Sequence, residues 1–186
     1  VISKFDFIVI GPGLSKGCVQ REILNIVLDM KKTTLIDADG INLIAGDGKL
    51  KGKVHDQCII TPHMGEASRL LDKSIDEISG SVLKSALEIA NTYNATCVLK
   101  DANTVIATND GRVFINTTGN NGMSTAGSGD VLAGIIGALM AQKSGKYAAP
   151  LGVFIHGLLG DMAADKLGKT SLMARDIIDM IPYLLK

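Results

Sequence analysis

The sequence predicts an α/β fold with a mainly parallel sheet flanked by helices, and three features of the chain predict it. Short apolar runs alternate with segments whose apolar residues recur at helical spacing. The runs are continuous rather than alternating, as in strands buried on both faces. One pair of runs, late in the chain, carries a hairpin signal, while the earlier ones are separated by helix-length segments that parallel pairing needs.

The elements follow in order. Phe5 to Ile10 is a strand stopped by the turn Gly11-Pro12-Gly13. Val19, Ile23, Ile26, Val27 and Met30 mark a helix. Thr34 to Asp37 is a second strand, ending in Asp37-Ala38-Asp39-Gly40, and a short helix covers Ile41 to Ala45. Gly46 to Val54 reads as a surface connection. Cys58 to Thr61 is a third strand; Pro62-His63 ends it, and Gly65-Glu66 opens a helix through Leu71. Val82, Ala86, Ile89, Ala90 and Tyr93 mark another helix, followed by a strand from Thr96 to Lys100. Thr104 to Ala107 and Val113 to Ile115 flank Asn109-Asp110-Gly111, the hairpin signal. A polar loop from Thr117 to Ser128 leads into a helix from Gly129 to Gln142. Helices over Leu151 to Leu167 and Ala174 to Leu185 complete the chain.

In parallel sheets ligands bind beyond the carboxyl ends of the strands. Gly11-Pro12-Gly13, Asp37-Ala38-Asp39, Pro62-His63 and Lys100-Asp101 all stand at strand ends, so they should converge on one rim.

The composition, 46% hydrophobic and 20% charged, suits one folded domain in 186 residues. Lys plus Arg and Asp plus Glu balance at 19 each, which gives no electrostatic reason to expect nucleic acid or an anionic membrane as partner. No stretch has the apolar length to span a bilayer. Cys18, Cys58 and Cys97 are too few and too scattered for a disulfide framework or a zinc site, so buried free thiols in a reducing, cytoplasmic setting are expected.

The stretch from Thr118 to Asp130 carries the chemistry. Gly127 and Gly129 allow close backbone approach, and the helix that follows offers unpaired N–H groups and the positive end of its dipole. Gly127, Ser128 and Gly129 thus form a candidate anion hole for a phosphate. Asp130, in the first turn, could take a proton from an attacking hydroxyl; the plainer alternative is helix capping. The loop is not a P-loop, because no Gly-Lys-Ser/Thr follows.

The Gly-Ser-Gly-Asp segment with its flanks resembles the signature of ribokinase-like enzymes. Within that superfamily Gly11-Pro12-Gly13-Leu14, Asp37-Ala38-Asp39, Thr61-Pro62-His63-Met64-Gly65-Glu66 and Gly119-Asn120-Asn121-Gly122-Met123-Ser124 resemble the NAD(P)H-hydrate dehydratases, in the same order and spacing. The resemblance implies a three-layer ribokinase-like fold. It implies ADP- or ATP-dependent phosphorylation of the hydroxyl of the S epimer of NADHX or NADPHX, then phosphate loss that restores the reduced cofactor. Asp130 would be the catalytic base and contact the hydrate, together with Gly13 and His63. Gly129 and the segment Lys100, Asp101, Ala102, Asn103 and Thr104 would bind the nucleotide. Glu66 would help organise Mg2+ through water, or else satisfy its helix N-terminus. The family often has Gly where this chain has Ser15, and usually Gly where it has Asp101.

Asp37 and Asp39 could line the pocket, bind a cation or form the turn; no catalytic role is assigned to either. His156, among apolar residues mid-helix, is read as structural, and His55 in a polar connection carries no signal. Residues 1–186 are expected to form a single catalytic domain that lacks its N-terminal part and exposes a sheet edge. A homo-oligomer is expected. The competing readings are a small-molecule kinase such as a hydroxymethylpyrimidine or hydroxyethylthiazole kinase, and a nucleotide-binding module without turnover.

Overall fold

The computed structural model describes residues 4–142 and 147–184. The chain divides into two compact units, Val1–Ile115 and Asn116–Lys186. The expected end of the last helix, at Leu185, lies outside the described residues.

The first unit holds a six-stranded sheet of β1 (Phe7–Ile10), β2 (Thr33–Ile36), β3 (Cys58–Ile60), β4 (Thr96–Leu99), β5 (Val105–Ala107) and β6 (Val113–Ile115). Spatial order equals chain order. β1 to β4 run parallel, and β5 and β6 return antiparallel as the expected hairpin. Right-handed crossovers taken always in one direction place the connecting helices on one face. These are α1 (Cys18–Asp29), α2 (Ala38–Ala45), α3 (Gly48–Lys51), α4 (Met64–Leu71), α5 (Ile75–Ser79) and α6 (Val82–Tyr93). Leu24 and Leu28 of α1, Ile41 and Ile44 of α2, and Ile89 of α6 share one core with Ile36, Ile60 and Leu99 of the strands. The alternate strand residues Leu35, Ile59, Val98 and Ile106 point the other way and are buried too. Burial on both faces is why these strands read as unbroken apolar runs.

Among the described residues β1 is an edge strand. Val9 on it and Val19, Ile23 and Ile26 on α1 are exposed.

Two short helices differ from the sequence-based expectation. Gly46 to Val54, read as a connection, contains the single turn α3. The Asp47 carboxylate accepts the N–H groups of Lys49 and Leu50 and holds that turn, so Leu50 and Val54 can be buried. α5 is set by a capping box in which Ser74 Oγ takes the Glu77 N–H and the Glu77 carboxylate takes the Ser74 N–H.

Cys58 and Cys97 are buried as expected, and burial pushes the Cys58 thiol up to about 11. Cys18 is exposed, contrary to expectation, because it opens α1 on that helix's outer side.

His55, which gave no signal in the sequence, is buried, and its Nε2 finds no hydrogen-bond partner. Burial first, then the Lys31 ammonium, hold its pKa below the ordinary 6.5, against the pull of Asp56. The fold therefore prefers neutral His55, while the unfolded chain protonates it near the ordinary value. Its contribution to stability is complete above pH 6.5 and is lost as pH falls below that value toward the folded pKa. Denaturant unfolding between pH 7 and 5 should show this loss, and a His55→Gln protein should lose less over the same window. Parallel curves for the two proteins would remove His55 as the cause.

The second unit holds α7 (Ser128–Ala141), α8 (Ala148–Leu167), α9 (Ala174–Asp179) and α10 (Ile181–Leu184), with single 3-10 turns at Asn121–Met123 and Lys169–Ser171. α7 packs on α8, and Gly152 makes this close: a Cβ there would sit 2.6 Å from Ile136 Cγ1. Ile155, Leu159, Ala163, Leu172, Ile177 and Met180 form the core of this unit. Among the described residues no helix is long and apolar enough to cross a membrane.

Candidate active site

In the first unit the expected strand-end motifs do meet on one rim. Gly11 takes φ 125, and a Cβ there would lie 1.8 Å from the Asp37 carbonyl oxygen, so the chain passes only as glycine. The Asp37 N–H donates to the Ile10 carbonyl and locks the two turns together. Ala38 follows with φ 48, a left-handed conformation that costs an alanine on the order of 1 kcal/mol. Asp39 reaches back across the rim, and its Oδ2 accepts the Ser15 N–H at 2.9 Å. Ser15 has φ 68 and Gly13 φ 64, while the space beside Gly13 is open.

Asp37 is the buried centre of the rim, 2% exposed. Its Oδ1 accepts Lys100 Nζ at 2.8 Å and Thr61 Oγ1 at 2.7 Å. Three neighbouring strand ends, β2, β3 and β4, therefore share one carboxylate. Asp37 precedes α2 and its carbonyl accepts the Gly40 N–H at 3.0 Å, which closes the turn, but its side chain makes no cap hydrogen bond there. Lys100 is a committed ion-pair partner, with 21% of its side chain exposed. The sequence singled out Lys100 and the motif that Thr61 opens, but not their meeting with Asp37, because the partners lie 63 and 24 residues from it.

The pairing of β3 with β4 continues past the strands as a bridge between His63 and Lys100. His63 begins α4 as its cap. Nδ1 accepts the N–H groups of Gly65 at 3.0 Å and Glu66 at 3.4 Å, which leaves the ring proton on Nε2. The ring is more than half exposed. Glu66 is buried; Oε2 accepts the His63 N–H at 2.9 Å and Oε1 lies 3.5 Å from His63 Nε2. Asp101, Ala102 and Asn103 form an exposed turn after β4, and Thr104 Oγ1 closes it on the Asp101 carbonyl.

In the second unit Gly127, with φ 86, precedes the first residue of α7. The Val131 N–H returns to its carbonyl at 3.0 Å. Ser128 is buried, with Oγ 3.4 Å from Nε2 of buried His156 on α8. Asp130 is exposed in the first turn, and among the described residues no hydrogen bond or ion pair engages its carboxylate.

A family model described as NAD(P)H-hydrate dehydratase matches residues 1–183. The chain belongs to the NAD(P)H-hydrate dehydratase family. It is 42% identical over 186 residues to a bifunctional NAD(P)H-hydrate repair enzyme of Thermofilum pendens, covering 97% of this chain and 35% of that protein. It is 34% identical over 182 residues to an ADP-dependent (S)-NAD(P)H-hydrate dehydratase of Neisseria meningitidis, covering 95% of this chain and 62% of that one. The chain thus spans only part of these relatives. Among solved structures, a ribokinase-like superfamily protein of Enterococcus faecalis superposes with TM-score 0.84 at 30% identity, over 98% of this chain and 63% of that one. The ADP/ATP-dependent NAD(P)H-hydrate dehydratase of Bacillus subtilis, co-crystallised with ATP and Mg2+, gives 0.83 at 27%, over 96% and 63%. The fold is ribokinase-like, as expected.

Against the pattern of the NAD(P)H-hydrate dehydratases, the two departures in this chain are tolerated differently. Ser15 does adopt the backbone conformation that favours glycine, steadied by Asp39. Asp101 does not take positive φ, so a side chain there carries no such strain. Among the described residues no group of three or more His, Cys, Asp or Glu could hold a metal ion. Glu66 is engaged by His63, through the His63 N–H and beside its Nε2.

Proposed function

We propose that this chain performs nucleotide-dependent dehydration of the S epimer of NAD(P)H hydrate. The observation that carries the reading is the unengaged Asp130 carboxylate in the first turn of α7, beside the amides that follow Gly127. Those amides and the helix dipole suit the terminal phosphate of ADP or ATP. Asp130 takes the proton of the ring hydroxyl as its oxygen attacks phosphorus. An oxygen–phosphorus bond forms, and the bond to the departing AMP or ADP breaks. The ring C–O bond then breaks with its electron pair on the phosphate, a proton leaves the neighbouring carbon, and the ring double bond returns.

Gly13, with open space beside it, and the exposed face of His63 serve the hydrate in this reading. The turn 101–104 serves the adenylate part of the nucleotide. Lys100 enters as a member of the Asp37 pair that fixes this turn, rather than as a free cation aimed at phosphate. Magnesium would accompany the nucleotide phosphates and offset their charge.

The test is recovery of the reduced-nicotinamide absorbance from purified hydrate with ADP, and separately with ATP. Phosphorylation of a pyrimidine or thiazole alcohol without hydrate turnover would replace this reading with a small-molecule kinase.

A further inference from the structure

The loop ahead of α7 is tied to one stripe of α8. Gly119 N–H donates to Asp161 Oδ2 at 2.8 Å, and Asn120 Nδ2 donates to Asp161 Oδ1 at 2.9 Å. The same Asn120 nitrogen reaches the Gly160 carbonyl at 3.1 Å, and Asn120 Oδ1 accepts the Gly122 N–H at 3.0 Å. Thr118 Oγ1 donates to the Phe154 carbonyl at 3.0 Å. Two glycines make so close an approach possible. A Cβ at Gly157 would lie 2.2 Å from Thr118 Oγ1, and one at Gly160 would lie 2.2 Å from Met123 Sδ. One step back along the stripe, His156 meets Ser128 of the phosphate-site loop. Phe154, Gly157 and Asp161 follow the three- and four-residue spacing of one helix face.

We propose that Asp161 is a positioning residue for the phosphate site at the start of α7, a role that rests on the reading of that site given above. Asp161 holds residues 118–123 against α8, so the chain enters Gly127 from one direction and its amides keep a single aim. A carboxylate suits this task because it only accepts, and both groups facing it are donors. An amide at the same place would turn a donor toward a donor.

Magnitudes separate this role from plain stabilisation. Asp161 is only half-buried and Gly119 is exposed, so the polar clamp adds little to global stability. An untied loop beside a binding site, in contrast, must be ordered again at each binding event, which weakens the ligand directly.

The experiment measures ADP and ATP affinity by calorimetry without hydrate, nucleotide KM and kcat with hydrate, and thermal unfolding. The proteins are the parent, Asp161→Asn, and the swap Asn120→Asp with Asp161→Asn, which restores a donor facing an acceptor. Asp161→Asn is expected to weaken nucleotide about tenfold, equivalent to about 1.4 kcal/mol. Its kcat and unfolding midpoint should stay close to the parent's, and the swap should recover part of the affinity, since a carboxylate at position 120 regains the contact with position 161 but loses the one to the Gly160 carbonyl. Unchanged affinity in Asp161→Asn, or a lower midpoint with parental affinity, overturns the assignment. If Asp161→Asn does not fold, Asn120→Ser carries the same expectations, since it loses the amide contacts to Asp161 and Gly160. A parent that binds nucleotide but never turns over hydrate would sink the proposed activity and leave the clamp to be judged on affinity. A parent that binds neither nucleotide would overturn both.

Discussion

Asp130→Asn should cut hydrate turnover by at least about a hundredfold, the lower end of what a general base supplies. The prediction is clean because Asp130 does nothing visible for the fold. It is exposed and engages no partner among the described residues. Its one structural service is a negative charge near a helix N-terminus, worth about 0.3–1 kcal/mol. The thermal unfolding midpoint should therefore move little while kcat collapses. Steady-state assays at saturating hydrate and nucleotide, beside a melting curve, separate the two. Full activity in the Asn protein would leave Asp130 as a mere helix-end charge.

Asp37→Ala should have the largest effect on stability. It removes a carboxylate that is 2% exposed and leaves Lys100 Nζ and Thr61 Oγ1 without their shared acceptor. Breaking a buried ion pair from one side costs about 3–5 kcal/mol, and the partial exposure of Lys100 places this case near the low end. Denaturant unfolding should report it. The double substitution Asp37→Ala with Lys100→Met should restore part of the loss, because it removes the stranded charge as well. Nucleotide KM should rise in the single variant, since β4 and the turn after it lose their anchor. A loss under about 1 kcal/mol would mean that water replaces the carboxylate readily.

The strands were legible because burial on both faces leaves so plain a mark: four apolar runs and one Asn-Asp-Gly hairpin. α6 was legible to the residue, since Val82, Ala86, Ile89, Ala90 and Tyr93 keep the helical period throughout. α3 and α5 were not, because one turn is too short to show a period. Caps decide such turns, and Ser74 with Glu77 was a readable cap that apolar periodicity passed over. The site divided the same way. Gly127, Gly129 and Asp130 form a local pattern, so they stood out. The Asp37–Lys100 pair and the Asp161–Gly119 contact join residues 63 and 42 positions apart, and nothing local announces either. Glu66 shows a residue type read correctly with its task left open: it closes a cap on His63.

Among the described residues, each strand of the sheet pairs with its neighbours in chain order. The sheet can therefore lengthen in the order of synthesis, each new strand docking on the one just finished. No strand has to wait for a distant portion of the polypeptide to emerge, which keeps loop closure short for a parallel sheet. Each of these strands can dock beside its immediate predecessor, so strand order follows timing as well as fit.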